Sequence, residues 1–156
     1  MPSSITQPAA SPALVAGTAL IVESFARLLQ RQLLAATEAD VFTALWSAPR
    51  VVLAHGTQAD PIFFYGNRMA LELFEMDFAS FTQLPSRFSA EPMERDARER
   101  FLQQVNRDGY IDDYAGVRVS STGKRFLIQQ AVVWNLADRS GVVHGQAATF
   151  ESWKVL

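Results

Sequence analysis

The chain has 156 residues, 49% of them hydrophobic and 19% charged, with a formal net charge of −2. A chain of this length can bury about 70% of the surface that it exposes when unfolded, so we expect one globular domain and not a disordered or fibrous protein. It has no cysteine and its 14 basic residues are scattered, which excludes disulfides, cysteine nucleophiles and a basic surface for nucleic acid.

The N-terminal segment predicts a leader followed by a helix. Residues 1–16 begin with Ser, Pro, Ala and Gln and have no periodicity, so we expect them to be a disordered leader to a domain of residues 17–156. From Thr18 to Ala36 apolar residues recur at helical spacing, which predicts an amphipathic helix capped by Thr18. We expect this helix to cover the sheet or a second copy in a homodimer. No Lys or Arg precedes Arg27 and no apolar run reaches about 20 residues, so we predict a cytoplasmic protein without a membrane span.

The next segments predict a short helix, a hairpin and another helix. The apolar stripe within Val41–Trp46 indicates a helix that Pro49 ends. Two apolar runs, Val51–Ala54 and Ile62–Tyr65, are separated by turn-forming residues and predict a β-hairpin. Asn67 stands where the following helix opens, and we expect it to cap that helix.

The C-terminal half predicts one longer helix and three strands. Apolar residues at helical spacing place the helix at Pro92–Arg107, and Gly109 ends it. Turn-forming residues separate the three strands that follow, which are predicted at Tyr110–Ser120, Lys124–Leu136 and Val142–Trp153. This order favours an α+β fold, a five-stranded antiparallel sheet with the helices packed on it, preceded by the N-terminal amphipathic helix.

Several segments resemble PAS domains. Phe63–Ala70 resembles the PAS strand-to-helix passage, in which a strand ends in Tyr-x-Asn. Asp108–Tyr110, Gly123–Phe126 and Asp138–Gly141 are similar to the last three strands of a PAS sheet. The resemblance implies a PAS-like sheet that holds a ligand between one of its faces and the short helices.

A closer resemblance is to the MEKHLA domain, a PAS-related family found in bacteria and at the C-terminus of plant class III homeodomain leucine zipper proteins. It covers about residues 17–153, and four segments carry it: Leu84–Pro92, Asp113–Ser120, Val133–Leu136 and Gly145–Ala148. The chain resembles the stand-alone bacterial type. The resemblance implies a fold and leaves the activity and any cofactor unidentified.

Strand alternation combined with the PAS resemblance predicts the pocket. One alternating set of the three C-terminal strands would face the ligand, and a buried arginine in that set needs an anionic partner. We therefore expect a small, acidic ligand. The predicted ligand-binding residues are Arg118, Gln130, Gln146, Tyr114, Phe126, Ile128, Trp134, Phe150 and Tyr65.

Each of these residues also has a purely structural interpretation. Arg118 could pair with a carboxylate of the chain, and the candidates are Asp112, Asp113, Glu75 and Glu91. The two glutamines could bond to neighbouring backbone, and the tyrosines and Trp134 could be core aromatics. Residues Pro85–Phe88 could roof the pocket or form a plain turn.

The sequence favours a sensory or regulatory module that binds a small ligand, a protein partner, or both. We predict no catalytic residue and no metal site, because His55 and His144 lie far apart in the sequence without a cluster of acidic ligands. The usual flavin photochemistry needs a cysteine. Two alternatives stay open: a small cone-shaped isomerase or hydratase, which needs a pocket carboxylate or histidine, and a dimerisation or interaction module whose core is filled.

Overall fold

The structure, a computed structural model, describes residues 5–35, 40–93 and 95–156. Five α-helices lie within these ranges: α1 (Pro12–Leu29), α2 (Val41–Ser47), α3 (Arg68–Phe74), α4 (Phe78–Phe81) and α5 (Arg95–Asp108). A 3-10 helix covers Ser86–Ser89. The strands are β1 (Val51–His55), β2 (Phe63–Gly66), β3 (Tyr110–Val119), β4 (Arg125–Ala137), β5 (Val143–Phe150) and β6 (Ser152–Val155).

The strands form one antiparallel sheet in the order β2-β1-β5-β4-β3, and β6 pairs with β4. The predicted α+β class and antiparallel sheet are confirmed. The predicted last strand, Val142–Trp153, is two strands that meet at Glu151. On either side of this residue, β5 pairs with the second half of β4 and β6 with its first half.

Helix α1 packs on one face of the sheet. Ile21 and Phe25 are fully buried there, and the Phe25 ring meets the Trp134 ring edge-on, with 5.0 Å between centroids. The Trp134 indole N–H donates to the Ser24 hydroxyl at 3.0 Å, which satisfies its one polar atom. We call this layer the α1-side core. The N-terminal helix therefore covers the sheet of its own chain, which is one of the two roles predicted for it.

The start of α1 differs from the prediction. The helix begins at Pro12, and its cap is Ser11, whose hydroxyl accepts from the Leu14 N–H at 3.2 Å. Proline suits the first helical turn because it lacks an N–H that would go unbonded there. Thr18, the predicted cap, is buried within the helix and donates to the Val15 carbonyl at 3.0 Å. The predicted end, Ala36, lies outside the described residues.

The apolar character of α1 also bears on the membrane prediction. Over 18 residues its mean hydropathy is 1.5, so by length and composition alone it could cross a membrane. A core helix of a folded domain passes the same test, and Ile21 and Phe25 are packed in that way here.

The opposite face carries α3, α4 and α5. Phe74, Phe81 and Phe126 pack together there, with Phe74 at 5.4 Å from Phe126 and 5.8 Å from Phe81 between ring centroids. We call this layer the pocket-side core. Asn67 caps α3 as predicted, with its side-chain oxygen accepting from the Ala70 N–H at 3.1 Å.

A β-bulge divides β4. Tyr114 of β3 pairs with Ala131, whereas Gly116 pairs with Ile128, so β4 carries one extra residue between these pairs. Gln130 lies within this stretch in the left-handed region, at φ 51°. An extra residue moves every later side chain of the strand to the other face of the sheet.

Candidate functional site

A cavity of about 310 Å³ lies between the pocket-side face of the sheet and the segment that leads into α5. Strands β1, β3, β4 and β5 form its floor, and the 3-10 helix and α5 form its roof. Its apolar lining includes Leu53, Met93, Phe101, Val133 and Ala148. Its polar lining includes His55, Glu91, Arg98, Tyr114, Arg118 and Gln146.

The roof is tied to the sheet by backbone contacts. The Glu91 N–H donates to the Val117 carbonyl at 3.1 Å, and Ala90 forms an isolated bridge with Arg118. At its other end, the Ser86 N–H donates to the Pro61 carbonyl at 2.8 Å. The segment that carries Ser86 therefore lies over the cavity instead of forming an independent turn.

Three residues from two strands line the cavity, and each carries a polar side-chain group without a described hydrogen-bond partner. These groups are the guanidinium of Arg118, the hydroxyl of Tyr114 and the Nε2 atom of His55. Among the residues that the structure describes, the hydroxyl of Tyr65 is the one unpaired side-chain polar atom that is fully enclosed. The three cavity groups are therefore accessible to a bound molecule. A ligand that enters this space meets donors and an acceptor that no described residue of the chain engages.

Arg118 is placed by its neighbours on β3. Its guanidinium carbon lies 5.8 Å from the centroid of the Tyr114 ring, and this ring in turn packs edge-on against Phe101 of α5. The side chain of Tyr114 folds across Gly116, where an added Cβ would lie 2.5 Å from the tyrosine oxygen. Glycine at this position therefore lets Tyr114 lie between the sheet and α5.

Arg118 forms no ion pair with a described carboxylate, although its structural interpretation predicts one. Glu91, which also lines the cavity, pairs with Arg125, and this bond lowers the pKa of the Glu91 carboxyl. Glu75 accepts hydrogen bonds from Ser120 and Thr122, both at 3.0 Å. The two remaining candidates, Asp112 and Asp113, are exposed.

His55 ends β1 and was not among the predicted site residues. Its Nδ1 lies 3.0 Å from the Gly56 carbonyl oxygen. Because a carbonyl only accepts, Nδ1 must carry a proton, which leaves Nε2 as an acceptor in the neutral ring. Burial lowers the pKa of His55, the positive charge of Arg118 lowers it further, and the bond to Gly56 opposes both.

Close backbone approach holds this part of β1 against β5. An added Cβ on Gly145 would lie 2.1 Å from the carbonyl oxygen of His55, so no other residue fits there without movement. His55 also pairs with Gln146, whose amide nitrogen donates to the Asn135 side-chain oxygen at 3.3 Å. Gln146 lines the cavity, and its side-chain oxygen has no hydrogen bond to a described residue.

Of the nine predicted site residues, the structure brings Tyr114, Arg118 and Gln146 together at the cavity. Three others, Phe126, Ile128 and Phe150, lie on the predicted face of the sheet but are buried in the pocket-side core. They support the floor and do not line the cavity.

The remaining three, Trp134, Gln130 and Tyr65, do not line the cavity. Beyond the bulge in β4, Trp134 faces α1, and Val133 lines the cavity in its place. Gln130 lies at the bulge itself and is exposed. Tyr65 packs in the α1-side core, where burial raises the pKa of its hydroxyl. Alternation predicts the wrong face for Trp134 because it assumes a strand without interruption.

The cavity contains one histidine and no described metal cluster. Among residues 5–35, 40–93 and 95–156, no three His, Asp or Glu side chains come together in a way that could hold a metal ion. The second histidine, His144, is an exposed residue of β5 and lies 2.8 Å from the carboxylate of Asp138, which precedes that strand. Neither residue lines the cavity.

The MEKHLA domain model matches residues 15–155, which is nearly the whole chain. The chain belongs to the MEKHLA domain family. Curated relatives of this MEKHLA domain include homeobox-leucine zipper protein ATHB-9 of Arabidopsis thaliana, 27% identical over 111 residues, and HOX9 of Oryza sativa, 26% identical over 109. These matches cover 70% of the chain but only 13% of each plant protein.

Solved structures share the fold of this MEKHLA domain. The PAS domain of a protein from Colwellia psychrerythraea has a TM-score of 0.59 at 10% identity, with 73% of this chain and 92% of that one covered. The LOV domain of the blue-light photoreceptor Aureochrome1 has a TM-score of 0.54 at 17% identity, with 80% and 89% covered. At these identities the likeness establishes a PAS-like fold and nothing of the ligand.

Proposed function

We propose that this MEKHLA domain is a sensory or regulatory module of the cytoplasm that binds a small acidic ligand in the cavity beneath the 3-10 helix. The observation that carries the proposal is Arg118, an accessible guanidinium at the cavity with no described carboxylate partner. A guanidinium binds a carboxylate through two parallel hydrogen bonds, which fixes the orientation of the ligand as well as adding affinity.

The size and lining of the cavity support this assignment. Its volume of about 310 Å³ is at the lower end of the range for small-molecule sites, which is about 300 to 1,000 Å³. Its polar groups and apolar side chains together fit a small molecule with one charged end. The open cavity argues against the interaction module with a filled core, and the shared PAS-like fold argues against the cone-shaped enzyme.

Thermal unfolding of the Arg118→Met variant tests the proposal. The probe is phenylacetate, and its uncharged counterpart phenylacetamide is the control ligand. At about 100 times the dissociation constant, a ligand of the native state adds about 2.7 kcal/mol, which raises Tm by roughly 5 to 10 °C for a domain of this size. We expect phenylacetate to raise Tm by this amount in the parent and in the control variant Arg139→Met, which changes an exposed arginine of the turn before β5. We expect no such rise in Arg118→Met.

The stability of Arg118→Met without ligand separates the two interpretations of this residue. If Arg118 serves a ligand, the variant should be as stable as the parent or more so, because methionine keeps the apolar stem. If it belongs to an internal ion pair, the variant should lose roughly 3 to 5 kcal/mol. A destabilised variant, or a parent that no carboxylate probe stabilises, would refute the proposed function.

Homodimerisation is a second proposal, favoured by the surface of α1. Val15 on this helix is 41% exposed, and much of the helix is apolar. The fungal photoreceptor Vivid, which has a TM-score of 0.55 and 11% identity, covering 82% of this chain and 91% of that one, is described as a light-state dimer. Sedimentation of the parent and of Val15→Glu tests the proposal, and a parent that remains monomeric at high concentration would refute it.

A further inference from the structure

The wall of the cavity formed by β1 adds an ionisable group to the proposed ligand site. His55 lines the cavity, and its Nδ1 lies 3.0 Å from the Gly56 carbonyl oxygen, whereas Nε2 has no hydrogen-bond partner among the described residues. Since Nδ1 already carries a proton, any further proton on this ring must bind at Nε2. Protonation therefore changes the cavity wall from a hydrogen-bond acceptor to a cationic donor, without breaking the bond that orients the ring.

The charges around His55 determine when that proton binds. Arg118 on β3 and Arg98 on α5 line the same cavity and add positive charge. The roof contributes Arg87 and Glu91, which are neutralised by Asp60 at 3.1 Å and by Arg125, respectively. The described charges that line the empty cavity are therefore net positive and oppose protonation of His55. An anion bound at Arg118 would reverse that field.

The apolar lining of the cavity restricts which anionic ligands can bind there. Leu53, Met93, Phe101 and Val133 are apolar, so a ligand that is charged all round would leave its other polar groups unbonded. The volume of about 310 Å³ leaves room for a body of roughly the size of one aromatic ring.

We propose that this site binds a small monocarboxylate with an aromatic or branched apolar body, and that His55 takes up one proton as the carboxylate binds. The inference rests on the proposed function and extends it. In chemical terms, the carboxylate accepts hydrogen bonds from Arg118 and from the protonated Nε2 of His55, and the proton comes from solvent. The module would then respond jointly to the concentration of the acid and to pH, binding more tightly as pH falls.

Isothermal titration calorimetry measures the proton directly. Phenylacetate is titrated into the full chain in two buffers of different ionisation enthalpy, and the difference in heat gives the number of protons taken up. We expect an uptake between zero and one. We also expect the dissociation constant to rise by up to about tenfold per pH unit between the pKa values of His55 in the free and bound protein.

The chain offers a matched control because it has only two histidines. His55→Gln keeps a polar side chain that cannot titrate, and we expect it to abolish proton uptake and the pH dependence of phenylacetate affinity. His144→Gln changes the exposed histidine and should keep both. NMR titration of the two imidazole Cε1–H signals in the parent should show the pKa of His55 rising when phenylacetate is added.

The outcomes distinguish this inference from the function on which it depends. Binding of phenylacetate without proton uptake, or uptake that persists in His55→Gln, would overturn the role of His55 and leave the proposed function standing. Equal binding of phosphate and phenylacetate would overturn the apolar body of the ligand. Failure of every carboxylate probe to bind the parent would overturn both proposals.

Discussion

Asn67 offers the sharpest test of how this fold is held together, because its side chain does more than cap α3. The side chain is fully buried. Its oxygen accepts from the Ala70 N–H at 3.1 Å and from the Val52 N–H at 3.0 Å. Its nitrogen donates to the carbonyls of Leu45 at 3.1 Å and Arg50 at 2.8 Å. One amide thus joins α2, β1 and α3.

The variant Asn67→Ser separates capping from this wider network. Serine caps a helix about as well as asparagine, so a residue that only capped α3 could be replaced at almost no cost. Serine has no amide group, however, and loses the two bonds to carbonyls together with the bond from Val52. At about 1 kcal/mol for each bond, the loss is about 3 kcal/mol, which corresponds to a fall in Tm of roughly 6 to 12 °C.

Urea unfolding followed by tryptophan fluorescence measures this loss. The control is Ser11→Ala, which removes an exposed cap from α1 and should cost only about 1 kcal/mol. If Asn67→Ser stays within about 1 kcal/mol of the parent with an unchanged denaturant slope, the network contributes little beyond the cap and the reasoning is wrong.

Two further predictions concern backbone strain and pH. Gln130→Gly removes a side chain from an exposed residue at φ 51° and should raise the free energy of unfolding by about 1 kcal/mol. The control Gln129→Gly should lower the free energy of unfolding. If urea unfolding shows that both variants change this free energy in the same direction, the role of the bulge is contradicted. Hydrogen bonds from Thr122 and Ser120 lower the pKa of Glu75 below its ordinary 4.5. The stability that this carboxylate contributes is therefore present above pH 4.5 and is lost as pH falls through the lowered pKa. Glu75→Gln should accordingly lose less stability than the parent between pH 5 and pH 3 in stepwise urea titrations, and equal losses would show that the bonds do not couple to folding.

Much of the fold could be predicted because the signals for it are local. Helical spacing located the core of α1, and turn-forming residues separated the strands of the C-terminal half. The cap at Asn67 was visible from a polar residue placed between a strand and a helical stripe. The segments that resemble PAS and MEKHLA domains lie in the same order along the chain, and order along the chain is what a sequence displays directly.

The candidate site could be predicted only in part, because it depends on pairing between distant strands. Alternation placed Arg118 and Gln146 on one face correctly, since β3 runs without a bulge from Gly116 to Val119 and Gln146 faces the cavity. Alternation failed for Trp134, because the bulge at Gln130 arises from the register between β3 and β4 and has no local signal.

Tertiary structure alone decided that His55 belongs to the site. This residue lies 63 positions before Arg118, and only the sheet order β2-β1-β5-β4-β3 brings both strands to one cavity. Gly145 permits the close approach of β5 to His55, and the roof closes over both residues through backbone bonds to β3. The sequence by itself determined which elements form and which face of most of them is apolar, because those properties depend on neighbours along the chain. Which polar side chains meet, and which of them lack a partner, depends on strand register and on contacts across the sheet, and these form only when the chain has folded.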